Sequence, residues 1–342
     1  MHRDDLLLDR DLRPHPRVQL DVLLGPRDLR RALEHDVRLG LGRRPRELPP
    51  KYFYDAHGSR LFDAITRLPE YYPTRREREI LIAHAGEIAA RTGADTLVEL
   101  GSGTSDKTRL LLRALARQHT LTRYVPFDVD AVTLRESSAR VATEFAGLEV
   151  HGVVGDFERH VPLLPGGGRR LLAFLGGTIG NLAPPQRERF LRDVAEQLGP
   201  RDAFLLGTDL VKDIPRLEAA YNDAQGVTAE FNKNVLSVLN AELHADFDLR
   251  HFEHLARYDA RQGWIEMLLR STVAQRVTVA DLRMTVDFGA GELLRTEISA
   301  KFTRAQVDRE LARAGLRRTE MWTDRNGDFA LSLAVRDDAA DA

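Results

Sequence analysis

Four short stretches of this chain set glycines and acids where strands would end, and the chemistry they offer is the grip of a small cationic cofactor. The first is VELGSGTSDKT, Val98 to Thr108. Glycines at a strand-to-helix turn let the backbone approach a ligand, and the helix that follows offers free N–H groups. A dinucleotide site asks for a third glycine and a phosphate beside the helix dipole. Asp106 stands at that third position, where a phosphate would meet a carboxylate. A P-loop is absent as well. S-adenosylmethionine (SAM) carries no phosphate, and its sulfonium and amino groups tolerate nearby acids such as Glu99.

Asp128 closes the second apolar run, YVPFDV, at the distance where an acid can accept both ribose hydroxyls. An aspartate there can equally cap a helix. Gly155-Asp156-Phe157 follows the third run. Its carboxylate suits an adenine amino group and its ring an adenine face; a loop aspartate beside a core phenylalanine is the plainer alternative. GGTIGN, Gly176 to Asn181, follows the fourth run. In an open parallel sheet ligands lie beyond the carboxyl ends of the strands. Four such loops on one edge carry more weight than any one of them.

These loops need a sheet to hold them. Apolar runs at 96–100, 124–129, 150–154, 170–175 and 203–207 alternate with helical patterns, which predicts an α/β, doubly wound parallel sheet. Thr74 to Glu77 fits a capping box opening a helix that stops near Gly93, and Thr303 to Gln306 fits another that stops near Gly315. Strands at 317–323 and 329–335, joined by a turn at 324–328, form a hairpin whose last strand runs antiparallel. Between these parts, 211–243 reads as helical and 252–288 as antiparallel strands. Residues 211–300 are therefore expected to be an inserted, smaller α+β substrate domain. Residues 1–25 read as an N-terminal arm and 26–73, rich in aromatics, as a helical segment joining the substrate domain. The SAM-binding domain would be 74–210 plus 301–342.

Composition narrows the function classes. With 50 basic and 52 acidic residues, the net charge is −2, which favours neither nucleic acid nor an anionic membrane. The chain has no cysteine, so thiol nucleophiles, disulfides and zinc–thiolate sites are excluded. No HExxH-like spacing appears, and His251 with His254 makes a poor metal pair in a strand, so no metal is expected. The N-terminus lacks a secretory apolar region, and no apolar run approaches the ~20 residues of a membrane helix. The expectation is a cytoplasmic monomer. Methyl transfer is an in-line displacement, in which positioning and desolvation of a neutral lone pair do most of the work.

The chain resembles the histidine Nα-methyltransferases of ergothioneine biosynthesis. The resemblance rests on PPKYFYDAHGSRLFDAITRLPEYYPTRRERE (49–79), LVELGSGTSDKTRLLL (97–112), EVHGVVGDFERH (149–160), FLGGTIGN (174–181), LLGTDLVKD (205–213), GVTAEFNKNVL (226–236), WIEM (264–267) and RTEISAKF (295–302). It implies a class I, Rossmann-like SAM methyltransferase that converts L-histidine, through its mono- and dimethylated forms, to hercynine. By the same resemblance Gly101, Lys107, Asp128, Asp156 and Phe157 contact SAM. Asn181 holds the α-amino group and carboxylate, with Tyr54 and Tyr221 around them. Tyr71, Glu297 and Ser299 bind the imidazole, and Phe62 and Met267 wall the pocket. Tyr54 and Asn181 are then the residues at the reacting amine. A same-fold enzyme acting on another small amine or amino acid is the alternative.

Overall fold

The computed structural model describes residues 16–338. In chain order the elements are β1 (Val18–Val22), α1 (Pro26–Gly42), β2 (Arg46–Glu47), α2 (Ala56–Ile65), α3 (Pro73–Thr92), β3 (Thr96–Leu100), α4 (Thr108–Arg117), β4 (Arg123–Asp128), α5 (Ala131–Glu144), β5 (Glu149–Val154) and α6 (Phe157–His160). Then come β6 (Arg170–Phe174), α7 (Pro184–Gln197), β7 (Ala203–Asp209), α8 (Ile214–Ala219), α9 (Val227–Leu243), β8 (Phe252–Asp259), β9 (Trp264–Ser271), β10 (Gln275–Val279), β11 (Met284–Phe288), β12 (Leu293–Ala300), α10 (Arg304–Arg313), β13 (Leu316–Thr323) and β14 (Phe329–Arg336).

Eight strands form one sheet in the order β1-β5-β4-β3-β6-β7-β14-β13. Strands β1 and β3 to β7 are parallel, while β14 runs antiparallel between β7 and β13. The order reverses at β3, so the loops after β3 and β6 diverge and open a crevice. β3 and β6 are buried along their whole length, as strands covered by helices on both faces must be. Two apolar clusters, one on each face, hold this sheet between its helices.

A third cluster joins Leu33 to Tyr72 with Leu217 to Leu294. Its framework is a four-stranded sheet, β2-β12-β9-β8, beside the hairpin β10-β11 and the long helix α9. β12 serves both sides. Ile298 and Ala300 pack into a cluster of the large sheet, while Glu297 and Ser299 alternate to the other face.

Two expectations need correction. Val18–Val22, read as arm, pairs in parallel with β5 as the edge of the large sheet. The Thr74–Glu77 capping box does not form: α3 opens one residue earlier, with Pro73 in its first turn and Tyr72 as the cap residue. Glu77 turns inward and is fully buried. At the other end Gly93 adopts φ +50° as the helix stop. Thr303 does cap α10, accepting from the Gln306 amide.

Candidate active site

The cofactor end of the site is built from strand termini. After β3 the chain turns at Gly101 (φ +70°) and Gly103 (φ +48°), and a Cβ on either would meet nothing within 4 Å. The Gly101 amide donates to Phe127 O at 2.8 Å, tying the turn to the end of β4. Asp128 Oδ2 accepts from the Gly103 amide at 2.8 Å and Oδ1 from the Asp130 amide at 3.1 Å. The cap of α5 is Asp130, which accepts from Val132 and Thr133. Asp128 is thus held at the crevice without serving as a helix cap. Enclosure raises its pKa above the ordinary aspartate value, against the pull of its amide donors.

Glu99, at the end of β3, is buried beneath this turn and accepts from Thr108 and, at 2.5 Å, from the Tyr124 hydroxyl. Burial pushes it up to about 7. Lys107 precedes α4 and pairs with Glu77, whose other oxygen accepts from the Gly176 amide at 2.7 Å. Glu77 therefore ties α3 to two of the strand-end loops. Gly207 must be glycine here, since a Cβ would come within 2.5 Å of the Glu77 carboxylate. Asp156 caps α6 through Oδ1, at 2.9 Å from the Glu158 amide. Its Oδ2 receives Lys51 at 3.4 Å, and Lys51 also reaches Asp36 at 3.0 Å. The Phe157 ring stands edge-on to Phe174 and Phe190, at 5.1 and 5.8 Å.

The second half of the site begins at Tyr54. Its ring meets Phe62 and Phe231 edge-on, both at 5.5 Å. Phe62 leads to Tyr71 at 6.1 Å, and Tyr71 to Tyr221 at 6.2 Å. Tyr54 remains 37% exposed, yet its hydroxyl is held well above the usual tyrosine value. Desolvation is the main cause, the Glu297 charge the next, and Asp128 contributes further. The ring is thus accessible, while its hydroxyl feels the acids of both halves of the site. Tyr54 is therefore a neutral phenol near pH 7.

Across from the aromatics, Glu297 is paired in register with Met267, next to a bulge between Arg295 and Glu297. Burial raises Glu297 to about 7, partly offset by Lys301 and by a hydrogen bond with Asn181. Asn181 ends a 3-10 turn, and its Nδ2 donates to Ile298 O at 2.8 Å. Since the amide nitrogen serves a carbonyl and a carboxylate, Oδ1 is the atom left to accept from a substrate N–H. Gly180 makes this approach possible: a Cβ there would lie 2.9 Å from Ala300 O. Ser299 Oγ lies 2.7 Å from the Tyr221 hydroxyl.

All thirteen residues singled out in the sequence thus fall on these two groups. Both groups also depend on residues that the sequence alone did not assign to the site: Glu77, Phe231, Lys301, and the pair Asn232 and His254. Thr296 donates to Asn232 Oδ1, so Asn232 Nδ2 must donate to His254 Nδ1 at 2.8 Å. His254 Nε2 then carries the hydrogen, donated to Tyr221 O at 2.8 Å. This chain fixes the backbone of Tyr221. Of these, Glu77, Phe231, Asn232 and Lys301 sit inside the matched stretches quoted above, which was the available signal.

The model of the family described as histidine-specific methyltransferase, SAM-dependent, matches residues 33–336. The chain belongs to this family. It is 58% identical to the histidine N-alpha-methyltransferase of Mycolicibacterium smegmatis over 305 residues, covering 89% of this chain and 95% of that one. The histidine N-alpha-methyltransferase of Mycobacterium tuberculosis is 56% identical with the same coverage. Ergothioneine biosynthesis protein 1 of Neurospora crassa is 30% identical across 85% of this chain and 33% of its own length. The family's SAM dependence fits the residues found here. The glycine turn is open, the surrounding acids suit a cationic and phosphate-free group, and the buried Ser102 Oγ in that turn has no partner of its own. No cluster of three or more metal-ligating side chains occurs among the described residues, and none of their helices is long and apolar enough to cross a membrane.

Proposed function

We propose that this methyltransferase places three methyl groups in turn on the α-amine of L-histidine, yielding hercynine, through the residues gathered above. The fixed amide of Asn181 carries the reading. SAM supplies an electrophilic methyl group. Gly101, Asp128, Asp156 and Phe157 would hold its ribose and adenine, and Lys107, locked to Glu77, would shape the helix N-terminus beside it. Asn181 Oδ1 accepts from the substrate amine and Tyr54 orients it, so the nitrogen lone pair points at the methyl group. Because Asn181 and Tyr54 are neutral, neither traps the amine as a salt-bridged ammonium. The faces of Tyr54 and Phe62 favour the cationic product as methyl groups accumulate. Tyr221 serves the carboxylate, while Tyr71, Met267, Glu297 and Ser299 enclose the ring.

The two-part packing supports a division of labour. Residues 26–73 with 211–300 would form the substrate unit, and 74–210 with 301–342 the cofactor unit. A cytoplasmic monomer that also binds the mono- and dimethylated intermediates belongs to the same reading. The test is direct: purified protein with SAM and L-histidine should give a product three methyl groups heavier. No mass gain on histidine, with gain on another amino acid from a panel, would replace the substrate.

A further inference from the structure

Two residues beyond Ser299, Lys301 is buried to 1% exposure. Its ammonium donates to Ser299 Oγ and to the Tyr221 hydroxyl, each at 2.9 Å, and lies 2.8 Å from Asp209 Oδ2. Those three partners use all three of its hydrogens, and an ammonium has no lone pair to offer. Lys301 therefore acts on the substrate only through the two hydroxyls it holds. It occupies a lone pair on each oxygen, and its charge turns their hydrogens away from itself. The two oxygens lie 2.7 Å apart, where either hydroxyl could donate to the other, and each hydrogen is free to turn outward to a substrate acceptor instead.

We propose that Lys301 is a positioning residue that makes Ser299 and Tyr221 hydrogen-bond donors to the substrate, Ser299 to the unprotonated ring nitrogen and Tyr221 to the carboxylate. This rests on the placement of the ring between Glu297 and Ser299. Glu297, on the same face of β12, is the matching acceptor for the ring N–H. One donor and one acceptor fit a neutral imidazole. An imidazolium has two N–H groups and no acceptor, and would bring a second positive charge toward the buried ammonium.

The surroundings allow the lysine to be removed cleanly. Asp209 also accepts from the Tyr72 hydroxyl at 2.8 Å and from Lys212 at 2.5 Å. In Lys301→Met, of similar length and no charge, Asp209 keeps both.

Ring analogues separate the two hydrogen bonds. A thiazolylalanine keeps an acceptor nitrogen and loses the N–H; a pyrrolylalanine keeps the N–H and loses the acceptor. Each should be tested with its nitrogen at either ring position, by calorimetry with S-adenosylhomocysteine bound. Lys301→Met should shift the affinity ratio toward the pyrrolyl compound by about tenfold, the scale of one hydrogen bond with charged support, with cofactor affinity unchanged. An unchanged ratio, or cofactor affinity falling in step, overturns the proposal. If Lys301→Met does not fold, Ser299→Ala decides: the same shift is required, and its absence is fatal. Glu297→Gln should move the ratio the opposite way. If it does and Lys301→Met does not, the lysine proposal alone fails; if neither moves it, the ring placement itself is wrong.

Discussion

The carboxylate of Glu77 accepts a hydrogen bond from the Gly176 amide at 2.7 Å, across 99 residues of chain. The same side chain holds Lys107. One buried acid thus sets the spacing between the loop after β6 and the start of α4, which flank the crevice. Glu77→Ala would leave a buried amide unpaired and Lys107 without its partner. The expected cost is about 2–3 kcal/mol in urea unfolding, together with weaker SAM binding by calorimetry. Glu77→Gln keeps the acceptor for Gly176 and should recover most of the stability.

Gly180 brings the Asn181 turn against the backbone of β12, where an added Cβ would lie 2.9 Å from Ala300 O and 3.0 Å from Ala300 N. Backbone cannot swing aside as a flexible side chain can. Gly180→Ala should push the turn outward and misplace the Asn181 amide relative to Ile298 O. Small misplacements of an orienting group cost on the order of a hundredfold in rate. Steady-state kinetics should show kcat for histidine reduced by roughly that factor, while SAM affinity stays within about twofold.

Glu297, raised to about 7, gives a pH dependence with a defined sign. In the proposed placement of the ring, the charged form accepts from the ring N–H, so histidine affinity should fall as pH drops through 7. Stability moves oppositely. An acid whose folded value lies above its unfolded one binds protons more readily when folded. Its burial therefore destabilises the fold above pH 7, and this penalty disappears as pH falls toward 4.5. Glu297→Gln should raise the melting temperature relative to wild type at pH 8 and leave it unchanged near pH 4.5. A difference that persisted at the lower pH would contradict this origin.

Much of the molecule was legible because local pattern and tertiary role agree. Strands β3 to β7 are apolar runs bounded by glycine or acid, and the four loops at their ends need no distant information to be found. Val18–Val22 escaped because its partner, β5, lies some 130 positions away in the chain. Glu77 was misread for a related reason. Thr-x-x-Glu is the same four residues whether the acid caps its own helix or is captured by Lys107 and Gly176, and only the folded chain makes the choice. Lys301 follows the pattern of an exposed lysine at the end of a strand. What buries it is the convergence of Asp209, Tyr221 and Ser299, from three separate elements.

Asp128 and Asp130 stand two residues apart and divide two roles that a sequence cannot apportion. Asp130 accepts from the Val132 and Thr133 amides and from the Thr133 hydroxyl, so it carries the N-terminus of α5. Asp128 accepts from Gly103 and Asp130 amides and sits at the crevice with its pKa raised by enclosure. Asp130→Ala should therefore cost about 1 kcal/mol of stability, as the loss of a helix cap does, with SAM affinity nearly unchanged. Asp128→Asn keeps an oxygen for one amide but loses the charge and one acceptor that the proposed pair of ribose hydroxyls would require. Its SAM affinity should fall about tenfold or more, with stability altered by less than about 1 kcal/mol. Calorimetric titration and urea unfolding on both variants read the two effects separately. Were Asp130→Ala to lose SAM binding while Asp128→Asn kept it, the ribose assignment at the end of β4 would have to be abandoned.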